Sequence, residues 1–139
     1  MFPKKLFIIA MLVLVAGVVN SPVTAIRAQG KEKALNITGA ALKARLDKGQ
    51  KVVILDSRSN LGPEIIKGAI HVPASEVENW AKTANKKAVI VSYCTCPNDE
   101  SSNSQATKLR ELGFHRAFSL TGGLEAARAA GIAIVPAAH

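Results

Sequence analysis

The stretch AVIVSYCTCPNDESSNSQATKLRELGF (88–114) decides the fold. It opens on Ala88 to Tyr93, an apolar run rich in β-branched residues, which reads as a strand buried on both faces. From Cys94 to Ser102 the residues are polar and punctuated by Pro97 and Asn98, which is loop chemistry. Ser104 to Leu112 has helical spacing, and Gly113 is a C-terminal stop. A strand, a cysteine loop and a helix follow one another directly.

The same alternation extends in both directions. Upstream, Leu35–Ile37 is a short strand and Thr38 an N-cap for a helix that carries Ala41, Leu42 and Leu46 up to Gly49. Lys51–Leu55 is a second buried strand, and Ala69–Val72 a third, ended by Pro73. Ser75 is a candidate cap for a helix running to about Lys82, with Trp80 in the core. Downstream, Ala117–Leu120 is a strand, Gly122-Gly123 a turn, and Leu124–Ala130 a last helix. Strands alternating with helices predict an α/β domain with a mostly parallel central sheet. Such sheets hold their ligands at the carboxyl ends of the strands, where Cys94 lies.

The chain has 139 residues, enough for one domain. Its start, MFPKKLFIIAMLVLVAGVVNSPVTA (1–25), reads as a secretory signal peptide. Lys4 and Lys5 precede a charge-free apolar run, Leu6 to Val19, and Val23-Thr24-Ala25 forms a small-residue cleavage site, with Ala28 as an alternative. The run falls short of the roughly 20 residues of a membrane span, so stable insertion after cleavage is not expected. A retained N-terminal anchor is the lesser reading. The expected organisation is a signal at 1–25, a flexible lead-in at 26–34 and one domain at 35–139, in a periplasmic or secreted protein. The net charge of +8 is spread over scattered lysines with no aromatics between them, so nucleic-acid binding is not read from it.

Cys94 and Cys96 are the only cysteines. One residue apart, they cannot staple distant segments, so reactivity or metal binding is the more natural reading. At a strand end before a helix, inward-turned N–H groups and the helix dipole favour a thiolate. Two thiols with His71 match no common zinc pattern, so no metal site is expected and His71 reads as structural. Cys96 has open readings: it resolves a sulfur adduct on Cys94, forms a labile disulfide with it, or is a second buried thiol that turns the loop with Pro97. Asp56 and Arg58 should lie at the same sheet end, where Arg58 shapes the pocket or the two form an ion pair that fixes the turn; the ion pair is the favoured reading. Ser101, Ser102 and Asn103 read as helix caps.

Five segments together resemble the rhodanese-like family: VVILDSR (52–58), IKGAIHVP (66–73), AVIVSYC (88–94), KLRELGF (108–114) and LTGGLEAARAAGI (120–132). The resemblance implies a parallel sheet with helices on both faces, and a nucleophilic Cys94 that carries sulfur as a persulfide. It implies a sulfurtransferase of the thiosulfate sulfurtransferase class, moving sulfane sulfur from thiosulfate or a persulfide to a thiol or cyanide. No cofactor is implied; the partners would be the small sulfur donor, the thiol acceptor and a reducing thiol protein. The loop residues Thr95, Cys96, Pro97, Asn98, Asp99, Glu100 and Ser101 would form the anion cradle, with Asn98 and Thr95 lining the pocket through backbone N–H groups. Cys94 and Ser102 are eight positions apart, where the family usually has six. Asp99 and Glu100 stand where the family often has Arg, Glu64-Ile65 replace its Gly-His, and Ala127 replaces its usual Trp. The loop is similar to a variant subgroup with Cys-x-Cys-Pro-Asn. Residue 100 is Glu and there is no Cys-x5-Arg, which argues against the related phosphatases. The alternatives are a thiol–disulfide redox protein using Cys94 and Cys96, and a sulfur-carrier module with little turnover.

Overall fold

A computed structural model describes residues 35–138; the signal and lead-in readings fall outside the described residues. The strands are β1 (Asn36–Ile37), β2 (Val52–Asp56), β3 (Glu64–Ile66), β4 (Ile70–His71), β5 (Val89–Tyr93), β6 (Ala117–Leu120) and β7 (Ile134–Pro136). The helices are α1 (Gly39–Asp47), α2 (Val77–Ala81), α3 (Glu100–Glu111) and α4 (Gly123–Ala129). Five strands form a parallel sheet in the order β1-β6-β5-β2-β4. The apolar run of β5 is buried at every residue because it lies at the centre of that sheet with helices on both faces.

Alternate residues of β5 and β6 feed two cores. Val89, Val91, Tyr93, Phe118 and Leu120 pack with Leu42 of α1 and with Leu124 and Ala127 of α4. Ile90 and Ala117 pack on the other face with Leu109 of α3, Val77 and Ala81 of α2, and Phe114. Trp80 lies against this second core, its ring 6.2 Å from that of Phe114, so it borders the core and remains half-buried. Thr38 caps α1 as expected, its hydroxyl accepting from the Ala41 N–H at 3.1 Å.

Parallel pairing sets all the carboxyl ends on one edge. Asp56 of β2 sits in register with both His71 of β4 and Tyr93 of β5. Cys94 is the next residue out.

Three local expectations fail. Ser75 caps nothing: it lies inside a 3-10 turn, Ala74–Glu76, that leads into α2, and the residue before that helix, Glu76, makes no side-chain cap bond. The helix after the cysteines begins at Glu100, four residues earlier than its spacing suggests, and is preceded by a 3-10 turn at Pro97–Asp99. Ser101, Ser102 and Asn103 therefore lie inside α3 and are not its caps. The hydroxyl of Ser102 and the amide of Asn103 instead donate back to the carbonyls of Asp99 (3.1 Å) and Asn98 (3.2 Å), a local alternative open to short polar side chains. The antiparallel pair β3–β7 was not foreseen; it joins segments about seventy residues apart and closes the outer edge near Glu64. Among the described residues no helix is long and apolar enough to cross a membrane.

Candidate active site

Two strand ends build the site. At the end of β2, Asp56 is fully buried and Arg58 curls back onto it. Arg58 Nε donates to both carboxylate oxygens, at 2.8 and 3.0 Å, its backbone N–H donates at 3.1 Å, and Nη2 pairs with Oδ2. Nη2 also donates to the Glu64 carbonyl at 2.8 Å, which ties the cluster to β3. The hydrogen bonds that Arg58 donates to Asp56 raise the guanidinium pKa further above its ordinary value. The Tyr93 hydroxyl donates to Asp56 Oδ2 and accepts the Ile66 N–H, both at 3.2 Å. Burial is the main cause that pushes the phenol up to about 12. His71 Nε2 donates to the Arg58 carbonyl at 2.8 Å, so its role here is structural. The Ser57 hydroxyl and N–H both donate to the Tyr93 carbonyl, at 2.8 and 2.9 Å. The peptide that carries Cys94 is thus clamped from β2.

At the end of β5 the chain leaves the sheet through the two cysteines. Cys94 and Cys96 are joined as a disulfide, their Cα atoms 5.6 Å apart. Cys94 is buried, with 1% of its surface exposed, whereas Cys96 is partly exposed and Thr95, Pro97 and Asn98 are exposed. Asn98 (φ 57°) and Asp99 (φ 55°) both adopt left-handed backbone, which turns the chain sharply into α3. Short polar residues tolerate that region best.

The two sulfurs have different neighbours. The Ser101 N–H at the start of α3 points at Cys96 Sγ, 3.5 Å away. Cys94 Sγ instead faces the Ser102 hydroxyl at 3.6 Å, and the buried Ser119 hydroxyl of β6 donates to Ser102 Oγ at 2.8 Å. The Asp99 N–H donates to the Cys96 carbonyl at 3.4 Å. In this bridged form the loop donors thus gather around Cys96.

The Gly122-Gly123 turn closes the site from the other side. The Leu124 N–H donates to the Cys94 carbonyl at 3.2 Å, and the Gly122 N–H donates to the Asp99 carboxylate at 3.0 Å. A Cβ on Gly123 would collide with the Cys94 carbonyl oxygen, and its φ of 56° is itself a glycine conformation. Two cavities of about 250 Å³ share Cys94, Thr95 and Cys96. One is completed by Arg58, Ser59, Asn60 and Ser101. The other is completed by Asn98, Asp99, Gly122, Leu124 and Glu125.

The structure therefore brings Asp56, Arg58 and the whole cysteine loop to one sheet end. Both readings of Arg58 meet there: it is ion-paired with Asp56 and it lines a cavity. Glu100 begins α3, exposed, and lines neither of these cavities. Sequence reasoning passed over Ser119, Leu124 and Glu125. Only Ser119 carried a signal, as a hydroxyl within the otherwise apolar strand Ala117–Leu120. Among the described residues no group of three or more His, Cys, Asp or Glu side chains is placed to hold a metal ion.

A parallel α/β domain whose cysteine loop links a central strand to a helix, closed by a Gly-Gly turn, is rhodanese-like in class. The chain belongs to the rhodanese-like domain family, whose model matches residues 38–130. It is 33% identical over 82 residues to the thiosulfate sulfurtransferase GlpE of Coxiella burnetii, covering 58% of this chain and 75% of that one. Among solved structures, it is similar to the BH2092 protein of Bacillus halodurans (TM-score 0.64, 27% identity, 73% of this chain and 77% of that one). The rhodanese-like domain of the Alr3790 protein from Anabaena sp. matches with a TM-score of 0.61 and 30% identity over 73% of this chain and 78% of that one.

Proposed function

We propose that this chain is a sulfurtransferase that accepts sulfane sulfur from thiosulfate or a persulfide on Cys94 and passes it to a thiol or cyanide. Family membership and the likeness to GlpE support sulfur transfer at the level of the family. The observation that carries the finer reading is the position of Cys94. It lies at the carboxyl end of the central strand, beside two cavities and the Ser102 hydroxyl. The donor's sulfane sulfur bonds to the Cys94 thiolate as sulfite leaves from thiosulfate, or a thiolate from a persulfide, and the acceptor then takes that sulfur away. This is two-step covalent exchange with ping-pong kinetics. No metal or organic cofactor takes part in this reading. The donor and acceptor are small sulfur compounds, and the domain works after export, in the periplasm or outside the cell.

Cys94→Ser removes the nucleophile. Turnover of thiosulfate with cyanide should fall to background, and sustained turnover by the variant would overturn the assignment. The Cys94–Cys96 disulfide favours a second reading, thiol–disulfide exchange without sulfur transfer. Intact mass after thiosulfate separates the two. A gain of one sulfur, or its release as sulfide or thiocyanate, belongs to the first reading. Cycling of the disulfide against glutathione with no sulfur taken up belongs to the second.

A further inference from the structure

The two sulfurs differ in a way that sulfur transfer alone does not use. Cys94 is buried, and Cys96, whose Sγ is bonded directly to that of Cys94, is partly exposed. We infer that Cys96 is the resolving nucleophile of this site: it attacks the inner sulfur of a Cys94 persulfide, expels hydrosulfide and leaves the Cys94–Cys96 disulfide, which a dithiol reductant then resets. This rests on the sulfurtransferase reading and gives the sulfur a different exit from transfer to an external acceptor.

The geometry supports each part. The bond in the structure identifies the atom attacked, since Cys96 Sγ sits on Cys94 Sγ. The loop that delivers it is held in place at Asn98 and Asp99 by left-handed backbone, and at Asp99 by the Gly122 N–H. An intramolecular thiol presented in this way competes with any solvent thiol at a high effective concentration. The Ser101 N–H, 3.5 Å from Cys96 Sγ at the first turn of a twelve-residue helix, is placed to stabilise the attacking anion. The Ser102 hydroxyl faces Cys94 Sγ; it accepts from Ser119 and gives its one proton to the Asp99 carbonyl in this bridged form, and a rotation about its C–O bond would turn that proton toward the sulfur when it becomes the leaving group on reduction.

The chemistry balances. When sulfur is loaded, a bond forms between Cys94 Sγ and the sulfane sulfur, the donor's S–S bond breaks, and sulfite (from thiosulfate) or the donor's thiolate (from a persulfide) leaves with the electron pair. In the resolving step a bond forms between Cys96 Sγ and Cys94 Sγ, the persulfide bond breaks, and the sulfane sulfur leaves as HS⁻ with its electron pair and proton. The sulfane sulfur is reduced as the two cysteines are oxidised. A thiolate of the dithiol then attacks Sγ of the partly exposed Cys96 and releases the Cys94 thiolate. Its second thiol closes the reductant's own disulfide and frees Cys96. In sum, a dithiol reduces sulfane sulfur to sulfide.

The test uses reduced protein freed of reductant, given thiosulfate or cysteine persulfide labelled with a heavy isotope in the sulfane position, with no acceptor added. Wild type should release labelled hydrosulfide, one per disulfide formed, and keep no sulfur. Cys96→Ser and Cys96→Ala should hold the label on Cys94 and release sulfide at least about tenfold more slowly, with cyanide drawing the label out as thiocyanate. Wild type that holds the label while Cys96 stays a free thiol would overturn the resolving step and leave the sulfurtransferase reading standing. A disulfide formed without labelled sulfide, or Cys96 variants as fast as wild type, would overturn it too. Failure of every chain to take label from either donor would overturn both readings. The wild-type label balance stands by itself should the variants fold poorly.

Discussion

The two strand ends that meet at the site are built on opposite plans. At the end of β2 the buried Asp56 carboxylate is paired with Arg58 and accepts the Tyr93 hydroxyl, and Arg58 is tied in turn to Glu64 and His71. At the end of β5 the loop beyond the buried Cys94 is partly to fully exposed, two of its residues hold left-handed backbone, and a disulfide, which a thiol can exchange, links the cysteines. One end is fixed by a saturated polar network; the other is free to change its bonding. A reactive sulfur needs both, because a nucleophile is useful only when its backbone is held while its partners change.

That comparison breaks most readily at Asp56. Asp56→Ala leaves a largely buried guanidinium without its counter-charge and Tyr93 without its acceptor, and should lower stability by about 3–5 kcal/mol in urea unfolding. Cys96→Ala, measured under reducing conditions, should change it by less than about 1 kcal/mol, since its side chain is partly exposed and the loop is short of core contacts. Equal losses would show that the two ends are not mechanically distinct.

Tyr93 sharpens the same contrast without a mutation. It is the only tyrosine in the chain, so an ultraviolet titration reads it alone. The phenol should ionise near 12 in the folded protein, against about 10 in an unfolded chain. Because the folded value is the higher one, the stabilisation from the neutral phenol is complete below about pH 10 and is lost as the pH climbs toward 12. A midpoint near 10 would mean that the hydroxyl is not buried against Asp56. Gly123→Ala strikes the cysteine end instead. It forces a Cβ into the Cys94 carbonyl and a non-glycine into left-handed backbone, and should cost about 1–3 kcal/mol. On the proposed function, its loss in sulfur transfer should exceed its loss in stability, because the clash is with the peptide of Cys94 itself. Full activity in Gly123→Ala would show that this close approach does not set the position of Cys94.

The readable and unreadable parts of this molecule differ in the range of the forces that shape them. β2 and β5 were legible because a strand buried on both faces must be apolar throughout, and Val52–Leu55 and Val89–Val91 are. The sheet end shared by Asp56 and Cys94 was legible from the alternation of strands and helices, since parallel pairing aligns the carboxyl ends. The β3–β7 pair was not, because three-residue strands at Glu64 and Ile134 carry no periodicity and no turn joins them. The start of α3 was misplaced because Glu100-Ser101-Ser102-Asn103 has weak helical propensity, and the serine and asparagine side chains bond backward into the loop rather than cap the helix. The contact of Ser102 with Ser119 joins two elements through one hydroxyl, and Glu125 reaches the cavity from α4; neither has a local signature.

Glu125 supports the smallest and most selective prediction. The cavity it lines with Asp99 has two carboxylates and no cationic side chain among its lining residues, whereas the neighbouring cavity has Arg58, whose charge Asp56 already matches. On the proposed function, a thiosulfate donor entering by this cavity would pass two carboxylates on its way to Cys94. Asp99 is unsuited to a test because its carboxylate accepts the Gly122 N–H. Glu125 makes only an exposed contact with Arg128, at 3.4 Å. Glu125→Gln should lower KM for thiosulfate about two- to fivefold at low salt with little change in kcat, as befits one partly screened surface charge. The gain should fade as ionic strength rises, because salt screens the interaction that the substitution removes. A KM unmoved at every salt concentration would show that the donor does not pass Glu125, and would place its path on the Arg58 side.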